Sequence, residues 1–258
     1  MGSKPEGRKA RSDSRESTDA FCPLAATTLP ARRSKRIHGL PGVYDKSYPP
    51  PTTDFALTAR AVQAANPDVV FVAAYPPDTV GIVRAAHEVG LTPKVFGGAM
   101  FGLLNTPIKM QLGPLLDGIV IMQSFVPAPT LNFPGLADLL KRYRAVAAEQ
   151  HADPLGYGYV PFGYAAGQVL AQAVEGTKTL DPDRLAEYMH SHRFETVVGD
   201  FEYGKDGEWS KARTVFTQFQ NVAADNYEQF ADGKVQPILW PPQYKTGDII
   251  YPYSDARK

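Results

Sequence analysis

The run Asp68-Val-Val-Phe-Val-Ala-Ala74, followed at once by Tyr75-Pro76-Pro77, constrains this chain more than any other segment. It is apolar on both faces, the pattern of a strand inside a parallel sheet rather than of a half-solvated antiparallel one. Tyr75-Pro76-Pro77 reads as a turn. Asp78 or Thr79 then caps a helix carrying Val80, Val83 and Ala86, and Gly90 closes it. The alternation extends in both directions. Asp54 caps an earlier helix whose Phe55, Ala59, Val62 and Ala65 recur at helical spacing, ended by Asn66-Pro67. Lys94-Val95-Phe96 is a short strand entering Gly97-Gly98, residues 119–125 are a further buried strand, and residues 134–150 an amphipathic helix. This β-α-β-α-β order predicts an α/β fold with an open, mostly parallel sheet.

Charge and composition exclude several classes. The 258 residues hold 27 Lys and Arg against 27 Asp and Glu, so no global field favours nucleic acid or an anionic membrane. The longest apolar run, Val69 to Tyr75, is seven residues, whereas a membrane-spanning helix needs roughly 20. The single cysteine, Cys22, excludes an intrachain disulfide framework and a Cys-rich zinc site. The balance hides an asymmetry: residues 1–42 carry nine basic and four acidic side chains, and the rest carries the opposite excess. That first segment has no helical or strand period and no apolar core of a secretory signal. Its Arg32-Arg33-Ser34-Lys35-Arg36 run could be a nucleic-acid or targeting patch; we read residues 1–42 as a disordered basic tail outside the fold.

A second kind of organisation begins after Asp153. Residues 156–161 form a loop, Phe162–Glu175 a helix, and Asp181-Pro182 starts a short helix through His190. Phe194 to Trp209 alternates and breaks at Lys205-Asp206-Gly207, which predicts a hairpin. Residues 214–220 alternate strictly as a strand. The tail from Pro237 to Tyr253, rich in proline and aromatics, predicts an irregular surface wrap.

Catalytic motifs fail one by one. There is no Gly-x-Ser-x-Gly elbow and no His-Glu-x-x-His pair. Gly199 to Asp206 has phosphate-loop spacing, but Asp206 stands where a magnesium-binding hydroxyl belongs, two carboxylates lie inside the loop, and no helix follows. His190 and His192 sit at a helix end, where they complement the dipole, and His87 is a surface residue beside Glu88. No catalytic residue, cofactor or metal ligand is expected. What converges instead is a rim. In open α/β sheets ligands bind beyond the carboxyl ends of the strands. Here those ends carry Tyr75, Gly97-Gly98-Ala99 and Ser124-Phe125: aromatics and close-approach glycines without a carboxylate pair, which favours binding over chemistry.

The run ANPDVVFVAAYPPDTVGIVRAAHEVGLTPKVFGGAM, residues 65–100, resembles the type I periplasmic binding proteins of the leucine/isoleucine/valine-binding group, the solute receptors of branched-chain amino acid ABC importers. A second anchor, Phe162-Gly-Tyr164-Ala-Ala through Thr196 to Gly207, is similar to the family in the same order, so the resemblance spans about residues 43–253. It implies two α/β lobes closing over a small-molecule solute, and an ABC permease as partner, in the periplasm. It implies that Tyr75 lines the cleft and that Tyr159 packs on the ligand from the other lobe. Gly98 and Ala99 would complete the rim. Ala99 falls where amino-acid binders place a glutamate that pairs with the ligand ammonium, so an amide, carboxylate or aromatic solute stands beside an aliphatic amino acid.

Family members carry a whole N-terminal lobe ahead of the matching segment. The expectation is therefore a truncated two-lobe fold. Residues 43–155 and 213–258 would form the C-terminal-type lobe, and 156–212 a remnant of the N-terminal-type lobe. Without a signal peptide this chain would stay cytoplasmic as written. Two other functions remain open: a cytosolic ligand-sensing domain of the same fold, or a small α/β hydrolase or transferase with an unrecognised site.

Overall fold

The computed structural model describes residues 41–49, 52–211 and 213–258. The basic run Arg32–Arg36, Cys22 and nearly all of the expected tail lie outside the described residues. The chain divides into two units, Met1–Ser47 and Tyr48–Lys258. In the first, residues 41–47 have no regular secondary structure.

The second unit opens with α1 (Ala56–Ala64), whose free N-terminal amide at Ala56 donates to the Asp54 carboxylate at 2.8 Å. Phe55 and Ala59 bury this helix against Ala85 of α2 (Pro76–Glu88). Between them runs β1 (Val69–Ala74), and α2 leads to β2 (Val95–Met100). Then follow α3 (Thr106–Leu112), β3 (Val120–Gln123), α4 (Leu136–Ala147), α5 (Val160–Thr177) and α6 (Pro182–Ser191). The hairpin β4 (Arg193–Thr196) and β5 (Gly199–Glu202), then β6 (Val215–Gln218) and β7 (Ile238–Trp240), complete the order.

The main sheet has the order β1-β2-β3-β6-β7. The first three strands are parallel, β6 runs against β3, and β7 against β6, so only β6 opposes the common direction. The open, mostly parallel sheet is thus as expected. Its edges are not. β1 is an edge strand rather than an interior one. Cross-strand partners share a face of a sheet. Val69, Phe71, Val120, Met122, Phe216 and Trp240 therefore lie on one face, where Val69 is 58%, Phe71 45%, Met122 38% and Trp240 53% exposed. Phe96, Ile121 and Ile238 lie on the other face, buried in one cluster with Val83 and Ala86 of α2 and Leu112 of α3. Among the described residues only one face of this sheet is fully covered.

Three local expectations are corrected. First, β2 does not stop at Phe96 but continues through Gly97, Gly98 and Ala99 to Met100. Second, the hairpin turns at Val197-Val198, since Thr196 pairs with Gly199. Lys205-Asp206-Gly207 closes only the isolated bridge between Tyr203 and Trp209. Two valines make a poor turn by propensity, but both are buried in the main core. The Thr196 hydroxyl donates to the Gly199 carbonyl and accepts from the Val198 amide, while the Arg213 guanidinium holds the Val198 carbonyl. Third, the tail includes β7, whose Ile238 amide is held by the Thr246 hydroxyl at 2.8 Å, before the chain becomes irregular. A satellite core of Val169, Ala173, Leu185 and Phe194 ties α5, α6 and the hairpin together.

Candidate functional site

The carboxyl ends of β1, β2 and β3 lie on one side of the sheet, and the start of the opposed β6 returns to that side. Tyr75 follows β1 directly. Its carbonyl caps α2 by accepting from both the amide and the hydroxyl of Thr79, each at 2.9 Å. Its ring is 45% exposed and stacks on Phe101, the residue just after β2, with centroids 5.9 Å apart and planes 22° apart. Phe101 is the outer wall of a cleft of about 80 Å³, lined also by Leu104, Met122, Gln123, Ser124, Phe125, Gly158 and Thr214.

Packing fixes this wall from behind. Phe125 is buried and meets the Tyr157 ring edge-on at 5.8 Å, and the Tyr157 hydroxyl donates to the Ala231 carbonyl at 3.1 Å. Gln123 donates to the Thr217 hydroxyl at 3.0 Å, which occupies its amide inside the sheet. Gly158 approaches Leu104 so closely that a Cβ would sit 2.9 Å from the Leu104 carbonyl oxygen. Asp153 organises the approach. One oxygen accepts from the Thr106 amide at 2.6 Å, at the start of α3. The other accepts from the Leu155 and Gly156 amides at 2.9 Å each. One carboxylate thus joins the first turn of α3 to the loop that carries Gly158.

None of the cleft-lining side chains is ionisable. A buried charge lies on α3, where Lys109 sits under the Phe230 ring with its ammonium 4.6 Å from the ring centre. Burial pushes its pKa down to about 8, against the opposing pull of Asp153. Among the described residues no three His, Cys, Asp or Glu side chains gather as a metal site, and no helix is long and apolar enough to cross a membrane. His192 is stacked on Tyr188 at 3.6 Å, and Asp200 of the loop with phosphate-like spacing is paired with Arg193 and Arg213.

The four residues singled out from sequence are placed unequally. Tyr75 braces the lining ring of Phe101 without itself lining the cleft. Tyr159 adjoins Gly158 at the start of α5 and is 55% exposed. Ala99 pairs with Ala73 one residue before the end of β2. Gly98 is not in a rim loop: it is buried inside β2 at φ 137°, where a Cβ would run into the Val72 carbonyl. Ser124 and Phe125, named as a strand end, do line the cleft. Nothing in the sequence pattern singles out Phe101, Leu104, Gly158 or Thr214. Phe101 was within reach had Gly97-Gly98 been read as strand, because the rim then moves forward to it.

Comparison with known proteins identifies the fold. The chain is 28% identical over 186 residues to Leu/Ile/Val-binding protein homolog 1 of Brucella suis, covering 72% of this chain and 45% of the relative. It is 28% identical over 155 residues to an amino acid binding protein of Pseudomonas aeruginosa, covering 60% of this chain and 39% of that one. The chain thus spans less than half the length of these curated relatives. Among solved structures, an amino acid ABC transporter substrate-binding protein from Pseudomonas fluorescens superposes with a TM-score of 0.63 at 14% identity, covering 90% of this chain and 58% of the other. A leucine binding protein from Thermotoga maritima gives 0.55 at 21% identity, covering 67% and 47%. The family described as periplasmic binding protein matches residues 25–222. The chain belongs to the periplasmic binding protein family.

Proposed function

We propose that this chain supplies one wall of a solute-binding site of the kind used by ABC importers for amino acids or related amide, carboxylate or aromatic solutes, in the periplasm and with an ABC permease as its partner. The observation that carries this reading is the place and chemistry of the cleft. It lies at the carboxyl ends of parallel strands, where α/β sheets bind ligands. It is built from two braced aromatic rings, two hydroxyls and no ionisable group. Such a lining binds and orients; it has no acid, base or nucleophile pair to turn a substrate over. In this reading Tyr75, Ala99 and Tyr159 are solute contacts at the edge of the cleft, Gly98 sets the strand spacing, and residues 156–212, which bring Gly158 to the lining, act as the part of the opposing lobe.

At about 80 Å³ the cleft is well below the roughly 300–1,000 Å³ of a complete small-molecule site. One wall alone therefore holds a solute weakly, with Kd near about 1 mM, or about −4 kcal/mol. Calorimetry with leucine, aliphatic amides and aromatic acids tests this. Saturable millimolar binding without turnover supports the reading; product formation from any of them, or no binding to any, refutes it.

A further inference from the structure

We propose that this wall receives an uncharged aromatic ring of the solute, and not its ammonium or carboxylate. The proposal rests on the solute-binding reading above and adds the chemistry of the solute's inner end.

Three observations converge on a ring. First, the lining has no ionisable side chain, so a charged group seated there finds no counter-charge. An unpaired charge taken out of water is strongly disfavoured. Second, Phe101 is 45% exposed although it lines the cleft, and one of its faces is already taken by Tyr75 in a near-parallel stack. A solute ring packed on the exposed part of Phe101 adds a further aromatic pair, an arrangement aromatic quadrupoles favour at centroid separations of about 4.5–7 Å. Third, the floor is rigid. Phe125 is 6% exposed and pinned edge-on by Tyr157, whose hydroxyl is anchored to the Ala231 carbonyl. A flat group thus meets a fixed surface and loses little further freedom on the protein side. Size adds a limit. The space of about 80 Å³ is smaller than the roughly 150 Å³ apolar cavity that encloses a benzene, so a single ring is held on part of its surface. The Ser124 and Thr214 hydroxyls at the lining can bond a substituent on that ring.

Saturation-transfer NMR on the full chain tests this with L-phenylalanine and L-leucine as the probes, each at millimolar concentration. The ring protons of phenylalanine should receive more saturation than its α-proton. Phe101→Leu keeps apolar bulk and removes the ring face. It should weaken phenylalanine binding about two- to tenfold, the scale of one lost aromatic pair, and weaken leucine binding by distinctly less. Phe101→Ala should show the same selectivity, and thermal unfolding monitored alongside keeps a folding defect separate from a lost contact. Stronger saturation at the α-proton, a leucine response without a phenylalanine response, or equal loss of both probes in Phe101→Leu overturns the ring assignment while the binding function stands. No response to either probe overturns both.

Discussion

At Gly98 a side chain has nowhere to go. The backbone is at φ 137°, and an added Cβ would collide with the Val72 carbonyl on the neighbouring strand. Gly98→Ala should therefore lower the unfolding free energy by about 2–4 kcal/mol in urea titration, through strain and forced separation of β1 and β2. The misreading of this residue has the same origin. Glycine weakens a strand by propensity, so Gly97-Gly98 looks like a loop, whereas here glycine permits close approach of three strands. Tyr75 was legible because the apolar run before it stops cleanly at Pro76-Pro77. Lys109 was not, since nothing in Ile108-Lys109-Met110 announces that its ammonium is buried under a phenylalanine ring. Its pKa falls from 10.5 to about 8 by burial. Between those values the unfolded chain holds a proton that the folded chain has lost, so stability rises with pH across that window and the penalty is fully present below it. Urea midpoints should climb from about pH 8 to about pH 9.5, and Lys109→Met should flatten the climb and be the more stable protein at pH 7. Above that range Tyr157 and Tyr253, both pushed up by burial, act with the opposite sign.

The start of α6 was legible because its stabilising partner is local, whereas α2 begins at Pro76, ahead of the expected cap at Asp78 or Thr79. Asp181 accepts from the Arg184 amide at 3.0 Å three residues on, and it caps α6 as the Asp-Pro pair indicates. Asp54 accepts from the Ala56 amide at 2.8 Å, but the capping position of α1 is Phe55, one residue beyond the expected Asp54. Asp153 was invisible in this role because Thr106, whose amide it accepts, lies 47 residues earlier. The hairpin turn was misplaced for a related reason. Val197 and Val198 form it under the control of Arg213, a residue beyond both strands, and of burial that outweighs turn propensity. The two aspartates should then differ in effect. Asp181→Ala should cost about 1 kcal/mol, the usual loss of one N-cap. Asp153→Ala leaves three amides without their acceptor and should cost about 2–4 kcal/mol by chemical denaturation. It should also shift the Gly158 amide resonance, because the loop that carries Gly158 into the cleft loses its anchor, while Asp181→Ala leaves that resonance in place.

Among the described residues the sheet is a two-sided object with one side covered. The run Val69–Ala74 is apolar on both faces, the pattern of a strand enclosed by two layers, yet it sits at an edge with Val69 and Phe71 exposed. Sequence pattern reports what a strand is suited to, not which neighbours are present. Stability should follow the neighbours. Phe96→Ala, in the covered face, should cost about 3–5 kcal/mol. Phe71→Ser, on the open face, should cost less than about 1 kcal/mol and should raise the concentration at which the protein stays clear of aggregate. The cleft belongs to this same scale, since it draws on the segment after β2, the end of β3, the residue before β6 and the loop before α5. Strand-end reasoning reached its rim through Ser124 and Phe125 but could not foresee Gly158 or Thr214, which only the folded chain brings together. The central claim is that this assembled wall is where solute binds. Its most direct test is a backbone amide titration of the full chain by heteronuclear NMR, with L-phenylalanine and L-leucine to millimolar concentration. Saturable shifts should centre on Phe101, Ser124, Phe125, Gly158 and Thr214, with Tyr75 following through its stack. Shifts confined elsewhere, such as the satellite core around Leu185, or no saturable shift with either solute, would contradict it.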